Sequence, residues 1–448
     1  MMRLRQVVKA ISGRPSGPVE DREVRGVSTD TRTLGAGDVY FALKGPRYDG
    51  HDFVPEAFRR GACAAVVERP AGGGGTEVAV PDSGEALGAL AAAWRMTLPA
   101  RVIGVTGSNG KTTAKEMIGH ILGRERRVVR SQGSFNNAVG LPLTLFGAGA
   151  EAEFVILEIG TNHPGEIARL GRIARPDAAV ITSVGASHLE GLGTVEGVAD
   201  EKASLLGFLR GGGFAVVHEN PLLLSRIHLP PEKVITFGTS RGADLFPEGV
   251  ERLDGGRGLR FFVRGAEFRL RLLGEWNVLN ALAAVAVAMS SGVPLPECAR
   301  RLADFRGPKM RMEPLELAGV TVINDAYNSN PESASRAVRE FCRIPAPGRK
   351  VAVIGDMLEL GGASEEYHRQ LGLILAESSV DVVAGVGPRC RALLEALGKG
   401  REKHGFESVE EMRPRLGELV RAGDMVLLKG SRAVGLERLV KWLGERVA

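Results

Sequence analysis

The sequence predicts an α/β protein with three domains. Its 448 residues exceed one ordinary hydrophobic core and suggest two or three domains of typical size. Short apolar runs alternate with segments of helical periodicity, a pattern typical of sheets covered by helices. The pattern changes near Pro99 and again near Gly307 and Pro308. We therefore divide the chain into residues 1–99, 100–308 and 309–448.

The first part, residues 1–99, alternates short strand-like runs with one or two helices. Residues 38–43 and 64–67 are apolar enough to form strands, and the glycine run 72–75 predicts a flexible loop. These features indicate a small α/β domain.

The central part, residues 100–308, begins with a phosphate-binding loop. The apolar run 101–103 precedes the loop, and a helical pattern starts at Ala114. Such loops bind phosphate because backbone N–H groups and the helix N-terminus face the anion. In this motif Lys111 reaches the outer phosphates and Thr112 can hold Mg²⁺. The residues expected to bind nucleotide here are Thr106, Gly107, Ser108, Asn109, Gly110, Lys111, Thr112 and Thr113.

The loop departs from the general pattern in one position. That pattern places a glycine five residues before Gly110, where this chain has Val105, and the first glycine is Gly107. A glycine-rich turn before an ordinary helix explains neither the Gly-Lys-Thr order nor the strand before it. The sequence therefore predicts a nucleotide triphosphate user.

Two further strands of the central part lead to chemically useful side chains. The run 154–157 leads to Glu158, and the run 178–182 leads to a loop that carries His188. Glu158 should lie beside the phosphates with its carboxylate available to bind Mg²⁺. An equally good interpretation of the sequence is that this strand-end carboxylate only caps the following turn. His188 can complete a metal shell or contact substrate, but an isolated loop histidine is more often a surface residue.

The remaining runs complete the fold prediction. Residues 234–273 alternate in polarity and predict an antiparallel addition, which a helix over 277–291 follows. In residues 309–448, the apolar runs 320–323, 350–354, 380–383 and 425–428 each precede a turn and a helical pattern. They predict a Rossmann-like, doubly wound sheet with ligands at the carboxyl ends of its strands.

Composition narrows the class of protein. The net charge of +5 and pI near 9.1 are mild for this length, so we expect anionic small molecules and no nucleic acid. No run approaches the ~18 apolar residues of a membrane span, and the start lacks the apolar core of a signal peptide. A soluble, cytoplasmic protein without membrane insertion is expected.

The cysteines indicate neither disulfides nor a zinc site. The four residues are scattered without Cys-x-x-Cys spacing. Reduced core residues are expected at Cys63, Cys298, Cys342 and Cys390.

Several motifs together resemble one superfamily. The shortened Thr-Gly-x-x-Gly-Lys-Thr loop is similar to that of Mur ligases and folylpolyglutamate synthases. Residues 158–167 are similar to the Glu-x-Gly-x-Asn-His-x-Gly-Glu-Ile run of the Mur ligases that add D-alanyl-D-alanine. The resemblance runs in order from about Ser28 to Arg432. It implies a UDP-sugar-binding N-terminal domain, a central P-loop ATPase domain with a parallel sheet and a Rossmann-like C-terminal domain.

The resemblance also implies a metal centre. His188 occupies the position of the family's metal-binding histidine, although the family's asparagine before it is replaced here by Gly185 or Ala186. Lys202 would ordinarily pass as a solvated helix residue, but in similar ligases the lysine at this place is carbamylated by CO₂. That chemistry needs a neutral, partly desolvated amine. The implied metal ligands are Thr112, Glu158, His188 and Lys202, and the implied catalytic residues are Lys111, Lys202 and His188.

Nucleotide contacts outside the loop follow from three more segments, residues 274–284, 309–313 and 324–331. Residues 274–284 resemble the family's nucleotide-contacting helix start, with Trp276 in place of the usual histidine, and a flat ring can still stack on adenine. Without the resemblance, Asn277 is simply a good helix N-cap. The guanidinium of Arg311 can form paired hydrogen bonds to phosphate, and the strand-end carboxylate of Asp325 can accept hydrogen bonds from ribose hydroxyls. The implied contacts are Asn277, Asn280, Arg311 and Asp325.

Substrate contacts are implied in all three parts. Residues 28–32 and 41–53 are similar to the family's uridine nucleotide-binding segments, and residues 134–144 to its Asn-Asn-x-x-Gly-x-Pro loop. Residues 324–331, 355–361 and 429–432 match further family segments. The implied substrate-binding residues are Ser28, Thr29, Asp30, Arg32, Lys44, Asn136, Asn137, Tyr327, Asn328, Asn330, Asp356 and Ser431.

The implied reaction is the formation of an amide bond at the expense of ATP with Mg²⁺. D-alanyl-D-alanine would be joined to UDP-N-acetylmuramoyl-tripeptide through an acyl phosphate, giving the UDP-pentapeptide, ADP and phosphate for peptidoglycan synthesis. A sibling ligase that adds an amino acid or glutamate shares the ATP site, and a non-ligase P-loop NTPase shares only the loop. A monomer whose domains close on the substrates is expected, and the third residue of the tripeptide is left open.

Overall fold

The computed structural model describes residues 2–445. Its N-terminal sheet has five strands in the order β1-β5-β4-β3-β2, mostly parallel, with β1 antiparallel to β5. The elements of this part are α1 (Leu4–Ala10), β1 (Arg14–Pro15), β2 (Val27–Ser28), β3 (Val39–Phe41), α2 (Val54–Arg59), β4 (Ala64–Val67), β5 (Glu77–Ala79) and α3 (Ser83–Thr97).

The central part contains a six-stranded parallel sheet. Its order is β11-β10-β9-β6-β8-β7, so β6 lies in the middle, and β12, β13 and β14 form a separate antiparallel sheet. Its elements are β6 (Arg101–Thr106), α4 (Lys111–Leu122), β7 (Val128–Arg130), α5 (Gly140–Phe146), β8 (Phe154–Glu158), α6 (Glu166–Ala174), β9 (Ala178–Ile181), α7 (Leu189–Leu192), α8 (Val195–Ala203), β10 (Phe214–His218), α9 (Pro221–Leu224), β11 (Val234–Phe237), β12 (Glu248–Leu253), β13 (Gly258–Val263), β14 (Ala266–Leu270), α10 (Trp276–Ser290) and α11 (Leu295–Leu302).

The C-terminal part contains a second six-stranded sheet in the order β15-β16-β20-β17-β18-β19. Only β15 is antiparallel to its neighbour. Its elements are β15 (Glu313–Leu317), β16 (Val320–Asp325), α12 (Pro331–Arg343), β17 (Lys350–Gly355), α13 (Ser364–Ala376), β18 (Val382–Val386), α14 (Cys390–Ala396), β19 (Glu402–Phe406), α15 (Val409–Met412), α16 (Leu416–Leu419), β20 (Met425–Lys429) and α17 (Glu437–Gly444).

Both six-stranded sheets are covered on their two faces. In β6, Val102 packs into one apolar cluster while Ile103 and Val105 pack into another. In β17, Val351 and Ala352 divide in the same way between two clusters. Successive side chains of a strand point to opposite faces, which explains why the buried strands are apolar throughout. The predicted α/β fold with parallel sheets is confirmed.

Three details differ from the sequence prediction. Residues 234–237 were expected in the antiparallel addition, but β11 pairs in parallel with β10. The run 380–383 places its strand too early, since β18 begins at Val382. The edge strands β15 and β19 were not predicted, because their alternating or polar sequences lack the apolar run of a buried strand.

The division of the chain into three domains with boundaries 1–99, 100–308 and 309–448 stays a proposal. Within residues 2–445, no helix is long and apolar enough to cross a bilayer. All four cysteines are free, and three of them are buried: Cys63, Cys298 and Cys390.

Candidate active site

The loop after β6 has a conformation that requires glycine at two positions. Gly107 and Gly110 have φ angles of +144° and +86°, which side-chain-bearing residues rarely adopt. A Cβ atom at Gly107 would lie 2.0 Å from Oγ1 of Thr182, and one at Gly110 would lie 2.2 Å from Oδ1 of Asn280. The helix α4 starts directly after Gly110, so its free N–H groups face the same space as the loop.

A cavity, here called the first cavity, lies between this loop, the start of α10 and the carboxyl ends of β16 and β20. Most of the predicted nucleotide contacts line it. Its lining residues are Ser108, Asn109, Gly110, Lys111, Thr113, Trp276, Asn277, Asn280, Arg311, Met312, Asp325, Asn328, Ser329, Asn330, Ser333, Arg336 and Lys429. Trp276 is one of these lining residues, and its stacking on adenine stays a prediction.

Arg311 connects the C-terminal part to the phosphate-binding loop. It precedes β15, whose pairing of Glu313 with Asn324 brings the start of β15 beside the end of β16. The guanidinium lies 4.3 Å above the Tyr327 ring and donates a hydrogen bond of 3.1 Å to Oγ1 of Thr112. A planar cation held in this way is well suited to phosphate.

The buried Lys429 pairs with the partly buried Asp325 at the ends of β20 and β16. The two residues are register partners, and Nζ of Lys429 lies 3.2 Å from Oδ2 of Asp325. Burial lowers the pKa of Lys429, and the Asp325 carboxylate opposes this shift. Oδ1 of Asp325 accepts a hydrogen bond from the N–H of Met312, which fixes the carboxylate at the wall of the first cavity.

A second cavity adjoins the first. Lys111, Arg311 and Asn328 line both cavities, so the two spaces meet at two cationic side chains. The lining residues of the second cavity are Lys111, Asn136, Asn137, Ala138, Glu158, Gly160, Thr161, Asn162, Glu166, Arg169, Leu170, His188, Arg311, Tyr327 and Asn328.

Glu158 has the properties of a cation ligand. It is the last residue of β8, and only 1% of its surface is exposed. Oε1 accepts a hydrogen bond of 3.2 Å from Nδ2 of Asn136, whereas Oε2 has no hydrogen-bond partner within residues 2–445. Buried carboxylate oxygens are rarely left in this state, and oxygen is the ligand atom that Mg²⁺ prefers. The residues around Glu158 therefore fit a magnesium site.

Lys111 is held by the loop that precedes it. Its Nζ donates a hydrogen bond of 2.6 Å to the carbonyl of Gly107. Burial lowers the pKa of Lys111, and the neighbouring Glu158 opposes this shift.

Lys202 lies in the last turn of α8 and is 1% exposed. Burial, reinforced by the charge of Lys111, lowers the pKa of Lys202 well below its usual value. The low pKa favours the neutral form of the Lys202 amine, and this neutral form is the one that reacts with CO₂. Carbamylation of Lys202 stays a prediction.

His188 contacts the C-terminal part. Its Nδ1 lies 2.7 Å from Oε2 of Glu359, and the N–H of Glu190 donates to the Glu359 carbonyl at 3.2 Å. The hydrogen bond to His188 lowers the pKa of Glu359. His188 also lines the second cavity. It is thus an interface residue at the cavity wall and not an isolated surface histidine.

Asn109 forms a second contact between the same two parts, which we call the Asn109 clamp. Its Nδ2 donates to Oε2 of Glu332 at 2.8 Å, and its Oδ1 accepts from Nδ2 of Asn330 at 2.9 Å. Asn330 also caps α12. Asn330 also lines the first cavity while its side chain binds the phosphate-binding loop, and its contact with substrate stays a prediction.

The predicted contacts of the N-terminal part do not reach either cavity. Asp30 and Arg32 form an exposed ion pair of 2.6 Å beside Ser28, and the backbone of Lys44 pairs with that of Asp49 in an isolated antiparallel β-bridge. The predicted residues of this part that line neither cavity are Ser28, Thr29, Asp30, Arg32 and Lys44. Their role in binding a UDP-sugar stays a prediction. In the central part, Thr106, Gly107, Thr112 and Lys202 also line neither cavity.

Asp356 and Ser431 also lie outside both cavities. The Asp356 carboxylate accepts a hydrogen bond of 3.0 Å from the N–H of Cys390, and Oγ of Ser431 accepts one of 2.9 Å from the N–H of Leu358. The Ser431 side chain therefore stabilises the loop that carries Glu359, whereas the Asp356 side chain binds the start of α14. Substrate contact by either one stays a prediction.

Sequence reasoning missed Lys115. It is fully buried, donates to the carbonyl of Ser131 at 2.7 Å and lies 3.2 Å from Oε1 of Glu116 and 3.5 Å from Oε2 of Glu158. Its position one helical turn after Lys111 is a signal that it shares a helix face with the site. Glu332 and Glu359 were also missed, because each acts across an interface that the sequence does not reveal.

Three family models match successive parts of the chain. A Mur ligase family catalytic domain matches residues 23–95, a Mur ligase middle domain matches 105–288, and a Mur ligase glutamate ligase domain matches 310–432. The matches occur in the order that the sequence motifs predicted.

Full-length relatives and solved structures agree with these models. The chain is 36% identical to the UDP-N-acetylmuramoyl-tripeptide–D-alanyl-D-alanine ligase of Bacillus subtilis and 34% identical to that of Escherichia coli, covering 99% of this chain and 98% of each relative. It is similar to MurF from Acinetobacter baumannii, with TM-score 0.90 and 32% identity over 99% of both chains. It is also similar to MurF ligase from Thermotoga maritima in complex with ADP, with TM-score 0.83 and 31% identity over 95% of this chain and 99% of that one. The chain belongs to the Mur ligase family.

Proposed function

We propose that this protein joins D-alanyl-D-alanine to UDP-N-acetylmuramoyl-tripeptide in peptidoglycan synthesis, using ATP and forming an amide bond. The names of its full-length relatives support this reaction over that of a sibling ligase or a non-ligase NTPase. One structural observation carries the proposal: two cavities meet at Lys111 and Arg311. The phosphate-binding loop lines the first cavity, and we assign the second cavity to the acyl substrate.

The chemistry explains why two adjoining cavities are needed. A carboxylate is a poor acyl donor, because its charge is delocalised and oxide is too basic to leave. Transfer of the γ-phosphoryl group of ATP to the tripeptide carboxylate gives an acyl phosphate, which the amine of D-alanyl-D-alanine attacks with loss of phosphate. The protein's contribution to such a transfer is mainly positioning and neutralisation of charge.

Lys111 and Arg311 lie where the phosphoryl group must pass from one cavity to the other. Both cations neutralise charge on that group in the transition state. Asn277, Asn280, Trp276 and Asp325 line the rest of the first cavity and are proposed to bind the nucleoside of ATP.

We assign Mg²⁺ to the side of the loop that faces Glu158. Thr112, Glu158 and His188 would hold one ion, and a carbamate on Lys202 would support a second. When bound, Mg²⁺ neutralises charge on the phosphate oxygens of ATP. Failure to detect a carbamate by mass measurement would count against the role of Lys202.

Location in the cytoplasm and a monomeric state are further proposals. Gel filtration with light scattering tests the monomer, and a mass near 47.6 kDa is the expected result.

The decisive experiment measures phosphate release with ATP, Mg²⁺ and UDP-N-acetylmuramoyl-tripeptide, with and without D-alanyl-D-alanine, and then the mass of the product. Dipeptide-dependent release with a UDP-pentapeptide product is the expected result. The assay should use both the diaminopimelate and the lysine tripeptide. Release that does not depend on the dipeptide with either one would contradict the proposal.

A further inference from the structure

The contact between His188 and Glu359 determines which nitrogen of the histidine is free. Nδ1 of His188 lies 2.7 Å from Oε2 of Glu359. An ionised carboxylate can only accept a hydrogen bond, so the ring nitrogen donates and Nδ1 carries the proton. In a neutral imidazole the lone pair is then on Nε2. The acid thus selects one tautomer of the histidine.

Glu359 is held in position independently of its side chain. Its φ angle of +64° is unusual for a residue with a side chain, and its carbonyl accepts a hydrogen bond from the N–H of Glu190. The preceding N–H of Leu358 donates to Oγ of Ser431 at 2.9 Å. The loop therefore presents the carboxylate to His188 without relying on their mutual attraction.

We infer that Glu359 is a positioning residue for the metal site: it fixes the Nδ1–H tautomer of His188 and leaves Nε2 available to the ion. This inference rests on the proposed metal role of His188. Carboxylates that accept a hydrogen bond from a ligating histidine orient its ring and raise its basicity.

The two residues belong to different parts of the chain, 309–448 for Glu359 and 100–308 for His188. The contact therefore couples metal affinity to the approach of the C-terminal part. The tautomer of the histidine ligand is therefore fixed only when these two parts are in contact.

Substitutions of Glu359 separate this role from that of a simple ion pair between the parts. Glutamine keeps an oxygen acceptor near Nδ1 but removes the charge, whereas alanine removes both. A positioning role predicts that Glu359→Gln retains the tautomer and that Glu359→Ala loses it. The matched control is Glu190→Gln, which neutralises an exposed acid close to His188 without touching the ring.

The first measurement is ¹⁵N NMR of the imidazoles in metal-free protein labelled at histidine. The signals of His188 are identified by their loss in His188→Asn. We expect the Nδ1–H form in the wild type, in Glu359→Gln and in Glu190→Gln, and a mixture of tautomers in Glu359→Ala. An unchanged His188 spectrum in Glu359→Ala overturns the inference without any assay of activity.

The second measurement is the Mg²⁺ concentration that gives half-maximal phosphate release with ATP and both substrates. Loss of such a carboxylate partner weakens metal binding by about tenfold or more, so we expect a rise of this size in Glu359→Ala and a smaller rise in Glu359→Gln. His188→Ala should also raise it. If His188→Ala has no effect, the proposed metal role fails and the inference falls with it. If His188→Ala raises the value and Glu359→Ala does not, only the positioning role is wrong.

Discussion

Lys111 lies with Arg311 at the junction of the two cavities, and its ammonium group is held at the phosphate-binding loop itself. We predict that Lys111→Ala lowers kcat by about a thousandfold or more, because one cation is lost at the phosphoryl group in the transition state. The assay is phosphate release, and far-ultraviolet circular dichroism checks that the fold is intact. Lys399→Ala, at an exposed position, is the control. A near-wild-type rate in Lys111→Ala would overturn the assignment.

The buried amine of Lys202 makes stability depend on pH. The pKa of Lys202 is lower in the folded protein than in the unfolded protein, in which a lysine side chain has a pKa of about 10.4. Between these two values the unfolded state binds more protons, so the stability of the wild type rises with pH through this window. We predict that Lys202→Met raises the unfolding temperature at pH 7 and that this gain shrinks as the pH approaches about 10.

Thermal unfolding in CO₂-free buffer from pH 7 to 10 checks this prediction, since a carbamate would replace the amine. Lys399→Met provides the comparison for an exposed lysine. A constant difference between Lys202→Met and the wild type across this range would show that the amine is not desolvated in the folded state.

At the scale of the element, α4 presents two lysines to the site, one turn apart. Lys115 compensates the charge of Glu158, with Nζ 3.5 Å from Oε2. Removing one partner of a buried ion pair typically costs about 3–5 kcal/mol, because the other charge is left uncompensated. We therefore predict that Lys115→Met lowers the guanidinium midpoint of unfolding substantially.

A double-mutant cycle distinguishes this charge effect from lost packing. Adding Glu158→Gln to Lys115→Met removes the stranded charge and should recover part of the lost stability. If the two substitutions are simply additive, the pair is not energetically coupled.

The elements also explain how much the sequence could predict. Strands buried on both faces, such as β6, β8 and β17, are continuous apolar runs and were located closely. The edge strands β15 and β19 were not predicted, because an edge strand does not need to be buried on every side and so lacks a continuous apolar run. Glu158 and Asp325 could be placed at strand ends, each in its own sheet, because a carboxylate directly after an apolar run lies at the carboxyl end of that strand.

The contacts between the C-terminal part and the loop were beyond sequence reasoning. Glu332 and Glu359 are ordinary acids in their local sequence, and their partners Asn109 and His188 are more than 170 positions away. No periodicity or spacing links such residues. Only the relative placement of two sheets brings them together.

At the scale of the whole molecule, the Asn109 clamp contributes to holding the C-terminal part against the central one. Loss of one hydrogen bond to a charged group costs about 1.5–3 kcal/mol, which shifts an open–closed equilibrium by tenfold or more. We predict that Glu332→Ala increases the radius of gyration of the nucleotide-free protein in small-angle X-ray scattering. Addition of ATP and both substrates should reduce it again.

Arg339→Ala, an exposed change on the same helix, is the control for this measurement. Identical scattering curves for Glu332→Ala and the wild type, with and without ligands, would mean that the clamp does not govern the arrangement of the two parts.

The position of β20 has a consequence for biosynthesis. This strand is the last one within residues 2–445, yet it lies between β16 and β17 in the middle of its sheet. As the chain leaves the ribosome, β16 and β17 emerge about 100 and 70 residues earlier and have no strand to join them. Their apolar edges must wait for residues 425–429, so the nascent chain is exposed to aggregation until this segment has been translated. A premature stop codon before Met425 therefore removes the centre of the sheet and leaves both flanking strands without their shared neighbour.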